Sequence, residues 1–175
     1  MEKTSIGIWE KDESLRHGGT FNEILEIVSL RFEEVFGHEV MSKIKLHIEN
    51  DISAEKPRII PKVQKESIII RLCLKNFNKR DQIAFQFSHE LCHYVFYSLK
   101  GLEEYTGLNE KERAREIMCT AMSLIIMKEL FPREFDSWKQ YVESLPEDYY
   151  RDGAEFAENI NYDINKLKLR IAECH

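Results

Sequence analysis

The stretch of this chain best suited to chemistry is His89-Glu90-Leu91-Cys92-His93. Two histidines four positions apart stand one above the other on a helix face, so both imidazoles can reach a single ion. Zinc takes imidazole nitrogen at about 2.0–2.1 Å, and its catalytic sites use three protein ligands plus a water. The glutamate between the histidines sits beside that water and can accept its proton. The spacing therefore predicts His89 and His93 as ligands of Zn2+ and Glu90 as the general base of a hydrolase.

The surroundings of the motif suit this reading. A helix is expected over about 79–99, with Asn78 as N-cap and Asp81 as its N3 residue. Ile83, Ala84, Phe85, Phe87, Leu91, Cys92, Val95, Phe96 and Leu99 spread round most of its circumference, so the helix should be largely buried. At about 100° per residue, Gln82, Gln86, His89, Glu90 and His93 fall in the one remaining sector, a narrow polar strip expected to face a cleft. His17, His38, His47 and His175 have no ligand spacing to one another and read as surface residues.

A third ligand must come from another element, and a helix expected over about 109–130 offers Glu112 and Glu116 one turn apart. Asn109-Glu110-Lys111-Glu112 has the form of a capping box, which gives Glu112 a structural task. Glu116 has no such task and precedes Ile117, Met118, Ala121, Met122, Leu124, Ile125 and Ile126, where a lone buried carboxylate is costly unless paired or metal-bound. Glu116 is the favoured ligand and Glu112 the alternative. Tyr94, Tyr105, Tyr149 and Tyr150 are all open as helpers for a developing oxyanion.

These residues need a scaffold. Thr20-Phe21-Asn22-Glu23 is a capping box before apolar Ile24, Leu25, Ile27, Val28 and Leu30, predicting a first helix over about 20–36 that ends at Gly37. The period then changes: Ile44, Leu46 and Ile48 alternate with Lys43, Lys45, His47 and Glu49, as in a half-buried strand. Runs 57–63 and 67–75, joined by Gln64-Lys65-Glu66, read as a hairpin whose Pro61 marks an edge. Further helices are expected at about 133–144 and 154–173, the last with Phe156, Ile160, Ile164, Leu167 and Ile171 as its apolar stripe. The expected class is α+β: an N-terminal helix, a small, mainly antiparallel sheet, the active-site helix and a C-terminal helical part. The chain reads as one domain over 1–175, with its core at about 20–130 and C-terminal helices at about 133–173.

Bulk properties narrow the partners. The 175 residues carry 43% hydrophobic and 32% charged side chains and a formal net charge of -6. With no Lys/Arg-rich block to displace counterions, nucleic acid is not expected as a direct partner. There is no run of about 18 apolar residues and no leader-like N-terminus, so a cytoplasmic protein without a membrane partner is expected. Cys73, Cys92, Cys119 and Cys174 form no CxxC pair and read as reduced thiols.

A strand, an H-E-x-x-H helix and then a Glu-bearing helix resemble the gluzincin metallopeptidases, and within them the small ImmA/IrrE family. That family's second motif has the form E-x-x-A-N-x-F-A. Glu116-Ile117-Met118-Cys119-Thr120-Ala121-Met122-Ser123 falls on it, with Cys119 for Ala, Thr120 for Asn, Met122 for Phe and Ser123 for the second Ala. The match covers about 67–128 and is by size rather than identity in the second motif. The resemblance implies a zinc endopeptidase acting on a particular intracellular protein or peptide, although the helix-turn-helix segment common in the family is absent here. Two rivals stand beside it: a metallopeptidase-like binding or regulatory module without catalysis, and a deformylase. Cys92 stands where a deformylase has Asp, and the upstream motifs of that class are missing.

Overall fold

The computed structural model describes residues 9–11, 19–103 and 108–174. The chain divides into two compact units, residues 1–105 and 106–175. The class is α+β, with helices predominating.

The first unit begins with strand β1 (Trp9–Lys11) and helix α1 (Gly19–Phe36). Helix α1 runs its predicted course, and Phe21, Ile24, Leu25, Val28 and Phe32 are all buried. The helix already includes Gly19, so Thr20 lies inside the first turn instead of capping it. Gly37 stops the helix at φ 88°, a value costly for any residue with a Cβ, and its N–H reaches Glu33 O at 2.8 Å.

A one-turn helix α2 (His38–Met41) then leads into β2 (Lys45–Asn50). β3 (Arg58–Lys62) and β4 (Ser67–Leu72) form the predicted hairpin, turned through Val63–Lys65 and a left-handed Glu66 at φ 48°. Helix α3 (Arg80–Lys100) completes the unit and packs against α1, β4 and β3.

The sheet is mixed, in the order β1-β2-β4-β3, and this corrects the mainly antiparallel sheet expected. β3 and β4 are antiparallel, whereas β1–β2 and β2–β4 are parallel. The cause is topological. Helix α1 carries the chain from β1 back to start β2 in the same direction, as parallel strands require, and β3 takes the outer edge, so β4 enters between β3 and β2. Pro61 sits on that edge strand, where its missing N–H costs no ladder bond.

The second unit is helical: α4 (Glu110–Leu130), α5 (Phe135–Ser144), α6 (Asp148–Asn159) and α7 (Ile164–Glu173). Helix α4 is its axis and packs against the other three. The single helix expected over 154–173 is two. Asn161 and Tyr162 both adopt positive φ, 59° and 54°, which no right-handed helix can continue. Asp163 then caps α7 by accepting from Asn165 N at 2.9 Å. Among the described residues, no helix is long and apolar enough to cross a membrane.

Candidate metal centre

In the first unit the candidate side chains lie on α3. Its N-terminus differs from expectation: Lys79 occupies the cap position without a side-chain bond, while Asn78 N–H donates to Asn76 Oδ1 at 2.9 Å in a local turn. The helix starts at Arg80, so Asn78 stands one residue before the cap position. About two to four turns on, the expected polar strip is deeply buried from Gln86 to His93, while Gln82 is half-buried. Gln86 and His89 are 7% exposed, His93 6% and Glu90 4%. The His89 and His93 rings stand edge to face, with centroids 5.2 Å apart.

Two contacts fix the rotation of this helix. Gln86 Oε1 accepts from Cys73 N at 3.1 Å, while Gln86 Nε2 donates to Cys73 Sγ at 3.3 Å. The strip is thereby tied to the residue that follows β4. Burial pushes the Cys73 thiol pKa up; Gln86 partly offsets this, and the nearby Glu90 carboxylate adds to it. Farther along α3, the buried Tyr94 hydroxyl lies 3.0 Å from Met41 O and 2.9 Å from Ile44 O, and accepts from Ile44 N at 3.2 Å. Holding the segment that enters β2 is a structural task, so Tyr94 leaves the set of oxyanion candidates. Tyr105, His17 and His175 lie outside the described residues. His38 is exposed and meets Glu33 at 2.8 Å, and His47 is half-buried on the outward face of β2.

In the second unit, Asn109 caps α4 as predicted, its Oδ1 accepting from Glu112 N at 3.0 Å. The Glu112 carboxylate accepts from Arg115 at 2.9 Å, and the arginine side chain is only 2% exposed. A buried guanidinium without its counter-charge is costly, so Glu112 is committed to Arg115. Glu116 is half-buried instead of fully buried, which means that burial alone does not single it out; the prior engagement of Glu112 does.

One turn beyond Glu116, Thr120 is buried and its hydroxyl has no hydrogen-bond partner. Tyr150 on α6 is close enough to feel the Glu116 charge. Burial is the largest cause raising its phenol pKa, followed by the charge of Tyr149 and its hydrogen bond, then by the carboxylates of Glu116 and Glu147. Sequence reasoning names Tyr150 without assigning it. The Arg115 pair and the Gln86–Cys73 bonds give no sequence signal beyond side chains able to donate and accept.

One ligand atom each from His89, His93 and Glu116 comes together, all within 4.8 Å of one another. Two imidazoles and a carboxylate are a donor set that zinc accepts, and ligation would suit two imidazoles so far removed from water. The residues present therefore fit a divalent metal. No known protein family, no curated protein and no solved structure matches this chain.

Proposed function

We propose that this chain is a zinc-dependent metalloendopeptidase of the ImmA/IrrE type, with His89, His93 and Glu116 as metal ligands and Glu90 as general base. The observation that carries this reading is the grouping of the three ligand atoms within 4.8 Å, beside a glutamate that is buried on the same strip of α3. When bound there, zinc supplies a Lewis acid and a water acidified to a pKa of about 7.

Glu90 takes the proton of the attacking water and returns it to the leaving amine as the peptide bond breaks. Glu90 stands outside the group of three ligand atoms, which leaves it the part of base. The substrate we envisage is a particular cytoplasmic protein rather than bulk peptide, recognised outside the metal site.

The test is Glu90→Gln, which keeps shape and hydrogen bonding but not proton acceptance. Zinc content should stay near one per chain, whereas His89→Ala or His93→Ala should remove it. Zinc-loaded Glu90→Gln protein should trap a partner that the wild type cuts at least about 10²–10⁴-fold faster. If trapped partners survive intact with the wild type as well, the chain is a binding module. Absence of metal after zinc reconstitution would remove the enzyme reading.

A further inference from the structure

The second unit carries a ladder of contacts between α4 and α6, and both helices climb it in the same direction. At its foot Arg113 reaches Asp148 at 3.3 Å and also pairs with Asp152. At its head α6 comes so near α4 that a Cβ added to Gly153 would lie 2.6 Å from Thr120 Cβ and 2.8 Å from Ile117 O. Only glycine permits that approach. Between the two rungs, Glu116 lies one turn before Thr120 and Tyr150 one turn before Gly153, so the ladder sets these two at one level.

We propose that Tyr150 is the positioning residue of Glu116: its hydroxyl donates to the carboxylate and holds it in the orientation needed to ligate a metal. This rests on the reading of Glu116 as third ligand. A phenol suits the task. It is a donor that stays neutral beside an anion, and a hydrogen bond to a charged acceptor is stronger than a neutral one. Tyr149 extends the arrangement. The two rings pack with centroids 4.5 Å apart, which limits the positions open to the Tyr150 ring. Glycine at 153 and the Arg113 ion pairs set the height of α6 at which Tyr150 meets the carboxylate.

The experiment is a zinc competition titration with a chromophoric chelator on the full chain, comparing wild type, Tyr150→Phe, Glu116→Ala and the double variant. Tyr150→Phe keeps the ring and its packing, so the metal-free melting temperature should hold while zinc affinity falls about 10–100-fold, as for other partners of metal ligands. In the Glu116→Ala background the same change should have no further effect. Equal zinc affinity for wild type and Tyr150→Phe, or an equal loss with and without Glu116, overturns the proposal and leaves the metallopeptidase reading standing. A wild type that takes up no zinc overturns both.

If Tyr150→Phe does not fold, fluorotyrosine placed at position 150 of the otherwise unchanged chain gives a second measurement. Its fluorine resonance should move on zinc addition and stay still when Glu116 is alanine. A resonance indifferent to zinc overturns the proposal.

Discussion

Gln86 and Cys73 hold each other by two hydrogen bonds, one to the Cys73 backbone N–H and one to its sulfur. This pair ties the helix of the histidines to the end of the central strand β4, and it makes the Cys73 thiol a reporter of Glu90. Burial raises the thiol pKa most, and the charge of Glu90 contributes in the same direction. The folded thiol therefore holds its proton more tightly than the unfolded one. Its contribution to stability is present below the unfolded pKa of about 8.5 and is lost as pH rises through the raised value. In metal-free protein, alkylation of Cys73 followed by peptide mass mapping should have its midpoint above that of a free thiol. Glu90→Gln should move the midpoint down, and an unchanged midpoint would show that Glu90 does not act on Cys73.

Glu112 and Glu116 should separate cleanly in mutants. Glu112→Ala removes a carboxylate paired with the buried Arg115 guanidinium and should cost up to about 3–5 kcal/mol in urea denaturation, with zinc still bound below the melting transition. Glu116→Ala should cost little stability in the metal-free protein and sharply weaken zinc retention. Loss of zinc in the first variant and not the second would exchange the two roles.

Gly153→Ala should destabilise the protein by about 1–3 kcal/mol, the usual range for overpacking a tight contact. The clash involves the Cβ of Thr120 and the carbonyl of Ile117, neither of which can swing aside. Because the contact is made by Thr120 Cβ as well as its methyl, Thr120→Ser should not restore stability. A neutral Gly153→Ala in thermal denaturation would mean that α6 lies farther from α4.

Asp163→Ala removes the acceptor that caps α7 and should cost about 0.5–2 kcal/mol. Asn161→Gly, at a left-handed position that glycine occupies without strain, should be neutral or stabilising. Equilibrium unfolding of the two variants checks both, and a harmless Asp163→Ala would mean that α7 does not depend on its cap.

The parts of the fold legible in the sequence are those written in one local period. Helix α3 and its polar strip follow from the spacing of Gln86, His89, Glu90 and His93, and Pro61 marks its strand as an edge. Strand direction is not local: alternation at Leu46 and Ile48 states which face is buried and nothing about which neighbour lies alongside, so the parallel pairing of β2 with β4 is invisible to it. β1 has three residues, too few to show a period. Tyr162 with positive φ is rare for an aromatic residue, and the apolar spacing of Phe156, Ile160 and Ile164 runs straight through the break. Asn161 and Asp163, a left-handed former and a capping residue, are the signals that could have revealed it. At the candidate site the choice between Glu112 and Glu116 turns on Arg115, whose pairing depends on burial rather than on spacing.

The mixed sheet has a kinetic consequence. Trp9 pairs with Leu46 and Lys45 with Ser67, so the first unit must close long loops before its strands gain anything, which slows folding. The second unit is built of consecutive helices with short connections and should form early. Glu116 and Tyr150 would then be in place while His89 and His93 still wait for β4 to insert between its neighbours. A refolding chain should therefore complete its helices before its sheet, and the arrival of β4 sets when Gln86 can engage Cys73.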